Sequence, residues 1–182
     1  AAWPRARLDA DYNARACTTP DAFAATLAAY RDLTARARAT HPPETHRYDK
    51  TSGEALDLYG TAPGERRPCV IFLHGGYWRL LGRAESGFMA PMLAARGIAT
   101  AVPDYTLAPA ASLREITRQA RAALAFLWHN ADALGLDRSR ITVTGSSAGG
   151  HLAAAVAAPG WQAGAGLPPQ PLRGAMPVSG LY

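Results

Sequence analysis

Four short strand-like segments separated by helical ones restrict this chain to very few architectures. Residues 69–73 (Cys69-Val70-Ile71-Phe72-Leu73) are apolar without a break, the pattern of a strand buried on both faces. Residues 98–102, 141–144 and 172–178 read as further strands. Between them lie a helical segment over 86–96, a long helix from Ser112 with Leu113, Ile116, Ala120, Leu124 and Leu127 on one face, and an alanine-rich helix from Ser147. Strands alternating with helices at this spacing predict an α/β fold with a parallel sheet. Upstream, Thr19-Pro20-Asp21 opens a helix over 21–37 with Phe23, Leu27, Tyr30 and Leu33 on one face. Strands around 46–49 and 56–59 flank a Ser52-Gly53 turn, and Thr61-Ala62-Pro63-Gly64 forms a second turn. No internal repeat is visible, and the Pro/Gly loop over 159–171 is too short to divide domains. Residues 1–182 read as one domain, with 1–45 as an N-terminal cap helix region.

At 182 residues, 48% apolar and 18% charged, the chain has the composition of a globular protein with a core of its own. No apolar stretch approaches the roughly 18 residues of a membrane span, and the first residues lack the apolar core of a signal peptide. The expectation is a cytoplasmic protein with no membrane partner. The net charge of +5 comes almost wholly from arginine, because Lys50 is the only lysine. Those arginines are scattered and no aromatic stripe accompanies them, so they read as solvated surface rather than a nucleic-acid face. Cys17 and Cys69 make no disulfide framework, and no Cys or His pair has metal-ligand spacing. No metal or organic cofactor is expected.

Two motifs carry chemistry. Gly145-Ser146-Ser147-Ala148-Gly149 matches G-x-S-x-G between a predicted strand and a predicted helix. A serine on so sharp a turn needs small neighbours two residues either side, and its hydroxyl then stands at a helix N-terminus, where a developing anion is favoured. Ser147 is the candidate nucleophile. The second motif, His74-Gly75-Gly76-Tyr77-Trp78, follows the first apolar strand. Consecutive glycines let backbone amides approach a carbonyl, so the N–H groups of Gly75 and Gly76, with that of Ala148, are the candidate oxyanion hole. Alone, either motif also suits an ordinary tight turn; together they favour catalysis. His74 reads as a brace for the loop, and Tyr77 and Trp78 either line a substrate pocket or pack.

The His74-Gly75-Gly76 block, the Asp104-Tyr105-Thr106-Leu107-Ala108-Pro109 block and the Gly145–Gly149 block extended by Gly150-His151 resemble the signature blocks of hormone-sensitive-lipase-like α/β-hydrolases. Within that group, Tyr77-Trp78, the segment Leu8-Asp9-Ala10-Asp11-Tyr12-Asn13-Ala14-Arg15 and Pro177-Val178-Ser179-Gly180-Leu181-Tyr182 resemble the kynurenine formamidase branch. One departure is Ser146, where such proteins often carry His or Asp. The resemblance implies an α/β-hydrolase fold with a mostly parallel sheet and helices on both faces. It also implies a serine hydrolase that cleaves a small formamide or ester through an acyl-enzyme, with N-formyl-L-kynurenine, giving kynurenine and formate, as the leading substrate. A short-chain carboxylesterase and a non-catalytic binding module on the same fold are the alternatives. In this fold the acid and the histidine follow the serine, yet no Asp or Glu follows Ser147 and the only later histidine is His151, one turn along the same helix. His151 therefore reads as structural and Asp104 as scaffolding. The resemblance implies two further strands beyond Tyr182 carrying the acid and the histidine, so residues 1–182 alone are expected to be inactive or weakly active. The helix over 21–37 admits two readings, a cap over the mouth of the site or a packing or homodimer helix.

Overall fold

The computed structural model describes residues 3–62 and 64–182; Pro63 of the second turn lies outside the described residues, as do the side chains of Ala14 and Arg15 in the segment 8–15. Helices α1 (Arg5–Asp11) and α2 (Pro20–Thr40) precede a hairpin of β1 (Glu44–Arg47) and β2 (Ala55–Tyr59). Then come β3 (Arg67–Leu73), α3 (Ala90–Ala94), β4 (Ala99–Pro103), α4 (Leu113–His129), β5 (Leu136–Ser146), α5 (Ala148–Ala157) and β6 (Gly174–Val178). The six strands form one sheet in the order β1-β2-β4-β3-β5-β6. The pairs β4–β3, β3–β5 and β5–β6 are parallel, while the hairpin adds β1 and β2 antiparallel at the β4 edge.

Local sequence explains the helix boundaries. The Thr19 side chain accepts a hydrogen bond from the Ala22 amide at 3.1 Å ahead of α2, and Ser112 caps α4 through the Glu115 amide at 3.3 Å. The expected helix over 86–96 is cut to the five residues of α3, after a 3-10 turn at Arg83–Glu85. The backbone at Gly87 lies against the Tyr59 ring, where a Cβ would collide with the hydroxyl, and Pro91 fits only the first turn of a helix.

The main core lies between the sheet and the α4–α5 layer. Ile116, Ala120, Leu124 and Leu127 of α4 and Leu152, Ala153 and Val156 of α5 pack against Cys69, Ile71, Leu73, Ile141 and Val143. Burial pushes the Cys69 thiol up to about 12, so this side chain is an inert apolar filler. Leu113, expected on the same face, is exposed at the first turn. β3 is not buried on both faces as its run of apolar residues suggested. Cys69, Ile71 and Leu73 are buried, whereas Val70 and Phe72 are half-buried and line a cavity on the opposite side.

On that second side, α2 is tied down by charge rather than by its apolar stripe. Its buried residues are Thr34 and Ala37, and Leu33 is exposed. Asp57 of β2 is fully buried and receives the Arg38 guanidinium from α2 and the Thr45 hydroxyl at 2.7 Å. Arg83 reaches Asp57 at 3.4 Å and Asp104, at the end of β4, at 3.1 Å. Burying the Asp57 carboxylate is affordable only because two guanidinium groups and a hydroxyl face it. Asp57→Ala removes the carboxylate that Arg38 and Arg83 share while leaving both guanidinium groups partly solvated, and is expected to lower stability by about 1–3 kcal/mol in urea unfolding.

Candidate active site

The strand order reverses between β3 and β5. The chain leaves β3 through α3 to β4 on one side and leaves β5 through α5 to β6 on the other. Open α/β sheets place their sites at such a switch point, outside the carboxyl ends of the two strands. Both sequence motifs lie there. Leu73 is the register partner of Gly145, so the glycine loop and the serine turn leave the sheet side by side.

Ser147 joins β5 to α5 with φ 58° and ψ −120°, a conformation that costs a non-glycine residue about 1–3 kcal/mol. Its amide donates to the Val178 carbonyl at 2.9 Å, which fastens the turn to β6. The glycines around it have steric reasons. A Cβ at Gly149 would run into the Leu73 carbonyl, one at Gly145 would strike the Gly149 backbone, and one at Gly75 would lie 2.8 Å from the Ser146 carbonyl. Gly76 has φ 94°, and a Cβ there would meet the Leu80 carbonyl. Among the described residues, none of the amides of Gly75, Gly76 and Ala148 donates a hydrogen bond. The glycine loop and the first turn of α5, which flank Ser147, thus leave three backbone amides without acceptors.

His74 braces this arrangement from beneath. It is 1% exposed, its ring stacks on Tyr105 at 4.0 Å, and its Nδ1 faces the Gly75 carbonyl at 3.0 Å. The Tyr105 hydroxyl donates to the His74 carbonyl at 2.9 Å. Burial lowers the His74 pKa from 6.5 to about 4, so the ring is neutral near pH 7. Asp104 accepts from the Arg83 amide at 2.7 Å and holds the far end of the same loop; burial raises its pKa. His151 faces the Leu181 carbonyl through Nδ1 at 2.7 Å and packs edge-on against Trp78 at 5.3 Å. None of the described histidines hydrogen-bonds to the Ser147 hydroxyl.

Ser147 opens into a cavity of about 1420 Å³. Tyr77, 63% exposed, lines it as one of the two sequence readings required. Trp78 does not: it is 8% exposed and belongs to the core cluster, packed on His151. The α2 stripe read from the sequence faces this cavity instead of the core, through Phe23, Leu27 and Tyr30. Tyr30 stacks on Phe88 at 5.3 Å, and Phe72 meets Phe88 edge-on at 5.7 Å, so three rings from three segments wall one side. Phe72 escaped the sequence reading because an unbroken apolar run gives no sign of which face meets a cavity, and Phe88, beside Gly87, lies in no motif. Among the described residues no group of three or more His, Cys, Asp or Glu side chains is placed to hold a metal ion, and no helix is long and apolar enough to cross a membrane.

The model of one protein family, BD-FAE, matches residues 56–163, which include the glycine loop and the serine turn. Kynurenine formamidase of Salmo salar is 35% identical over 136 residues, 74% of this chain and 44% of that protein. Kynurenine formamidase of Danio rerio is 32% identical over 164 residues, 89% of this chain and 54% of that protein. The chain thus spans about half the length of these curated relatives. Among solved structures, EstE1, a thermophilic carboxylesterase cloned from a metagenomic library, superposes with a TM-score of 0.61 at 28% identity, covering 78% of this chain and 49% of its own.

The buried imidazole makes stability depend on pH. The unfolded chain protonates His74 near 6.5 and the folded chain only near 4, so the unfolded state binds more protons between those values. Stability is expected to fall by about 3 kcal/mol as pH drops through that window. Urea midpoints measured against pH should show this slope, and His74→Gln should flatten it.

Proposed function

We propose, for a chain that belongs to the BD-FAE family of the α/β-hydrolase superfamily, that it carries the nucleophile and oxyanion hole of a serine hydrolase acting on formamides or esters. The observation that carries this reading is the strained Ser147 backbone beside three amides without acceptors. Strain held at one serine, next to donors left unspent, is the arrangement acyl transfer requires and a packing turn does not. Ser147 Oγ attacks the carbonyl carbon and loses its proton to a general base. The oxyanion forms against the amides of Gly75, Gly76 and Ala148. The amine or alcohol leaves with that proton, and water then cleaves the acyl-serine by the same route. Neither His74 nor His151 suits the base, the first being buried and stacked and the second turned to the Leu181 carbonyl. We assign the base and its acid partner to residues outside 1–182. The mechanism calls on no metal or organic cofactor.

N-formyl-L-kynurenine is the leading substrate, supported by the two formamidase relatives. A short-chain carboxylesterase is the second reading. It is favoured by the EstE1 likeness and by an apolar cavity well above what a formyl group needs. The protein expressed from its complete gene is expected to release formate from N-formyl-L-kynurenine faster than it cleaves p-nitrophenyl butyrate; the reverse order moves it to the carboxylesterases. Ser147→Ala should lower kcat on either substrate by on the order of 10⁶-fold, to what binding and the oxyanion hole leave. Turnover retained in that variant would overturn the assignment.

A further inference from the structure

The two glycine-loop amides assigned to the oxyanion owe their direction to a residue that does not line the cavity. Gly75, Gly76 and Ser147 line it, whereas Tyr105 is 3% exposed and lies behind the loop. The peptide bonds His74–Gly75 and Gly75–Gly76 are trans, so each amide points opposite to the carbonyl of the residue before it. Whatever holds the His74 carbonyl therefore sets the direction of the Gly75 amide. Whatever holds the Gly75 carbonyl likewise sets that of the Gly76 amide.

Both carbonyls are held on the buried side. The Tyr105 hydroxyl donates to the His74 carbonyl at 2.9 Å and lies 3.3 Å from the Gly75 carbonyl. Its one proton serves the nearer oxygen, and the Gly75 carbonyl has a second donor in His74 Nδ1 at 3.0 Å. A carbonyl only accepts, so Nδ1 carries the proton. The Tyr105 ring, stacked on the imidazole at 4.0 Å with 10° between the planes, keeps that nitrogen turned to the loop. With both oxygens drawn toward Tyr105, both N–H groups are turned away from it, on a loop whose backbone lies against Ser147.

Tyr105 itself has little freedom. On one flank the Asp104 amide donates to the Ala55 carbonyl at 3.0 Å, and the Asp104 carbonyl accepts from the Tyr48 hydroxyl at 2.6 Å. On the other, the Thr106 amide donates to Oε1 of Gln119, a buried residue of α4, at 2.8 Å. Burial pushes the pKa of the Tyr105 hydroxyl well above the ordinary tyrosine range, so it remains a donor near pH 7.

We propose that Tyr105 is a positioning residue for acyl transfer: its hydroxyl, acting through the His74 carbonyl and the stacked His74 ring, holds the Gly75 and Gly76 amides on the developing oxyanion. This rests on Ser147 as the nucleophile. Donors set in advance need no reorganisation as charge forms, so losing the hydroxyl weakens the transition state more than the bound substrate.

Tyr105→Phe keeps the ring stacked on His74 and removes only the donor. In the protein expressed from its complete gene, this variant should lower kcat about ten- to a hundredfold on the better of N-formyl-L-kynurenine and p-nitrophenyl butyrate. KM should stay within about twofold. Trifluoroacetophenone, to which Ser147 would add to form an oxyanion, should bind more weakly by about the factor that kcat loses. An unchanged kcat, or a loss confined to KM, overturns the proposal. If Tyr105→Phe does not fold, the crystal structure of a phosphonate adduct of the unaltered protein decides. The phosphoryl oxygen should accept from the Gly75 and Gly76 amides while the Tyr105 hydroxyl keeps the His74 carbonyl. An oxygen held by other donors, or a Tyr105 hydroxyl bonded elsewhere, overturns it. Turnover that survives Ser147→Ala sinks the nucleophile assignment, whereas Ser147-dependent turnover with an unchanged kcat in Tyr105→Phe sinks only the role of Tyr105.

Discussion

The close approach of two backbones at the end of β3 is the contact on which the site depends. Gly149 at the start of α5 lies so near the Leu73 carbonyl that no side chain fits, and Gly145 is closed in by the Gly149 backbone. Because these segments touch directly, the β5–α5 turn must be tight. A tight turn drives Ser147 into its left-handed conformation and lifts its hydroxyl clear of strand and helix. The same contact brings Gly75 alongside Ser146, so the glycine loop and the serine share one small space. Ser147 and the neighbouring loop amides are thus placed by the sterics of three glycines, with little left to side-chain adjustment.

A second constraint is electrostatic and acts from the other side of the loop. Asp57 carries a charge into a fully buried position, where it gathers Arg38 from α2 and Arg83 from the segment after the glycines. Asp104 then takes the remaining reach of Arg83 and its amide. The result couples three elements: the helix that walls the cavity, the loop that bears the amide donors, and the end of β4. A buried ion pair of this kind contributes little net stability against an apolar substitute, and its value lies in fixing one arrangement of the parts. The Arg31–Glu85 pair adds a weaker, exposed tie between α2 and the same segment.

Much of the sheet was legible because its signals are local. Apolar runs, the Ser112 cap and the G-x-S-x-G spacing each follow from a few neighbouring residues. What escaped depended on partners distant in sequence. The stripe of Phe23, Leu27, Tyr30 and Leu33 is amphipathic, but periodicity cannot tell a core from a cavity; α2 docks instead through Thr34, Ala37 and Arg38. Asp57 stands in a strand of otherwise apolar character, Ala55-Leu56-Asp57-Leu58-Tyr59, and a charge there was the one available sign of a buried network. Trp78 adjoins the glycines in sequence, yet the positive φ angles of that loop turn it into the core and leave Tyr77 outside.

Strain and amides without acceptors at one turn mark Ser147 as the proposed reactive group of the protein. The most direct test is active-site labelling with a small organophosphonate fluoride, read by peptide mass spectrometry on the protein expressed from its complete gene. One adduct is expected, on the peptide carrying Ser147, and it disappears in the Ser147→Ala variant. An adduct on another residue, or none on a protein that hydrolyses esters, would contradict it.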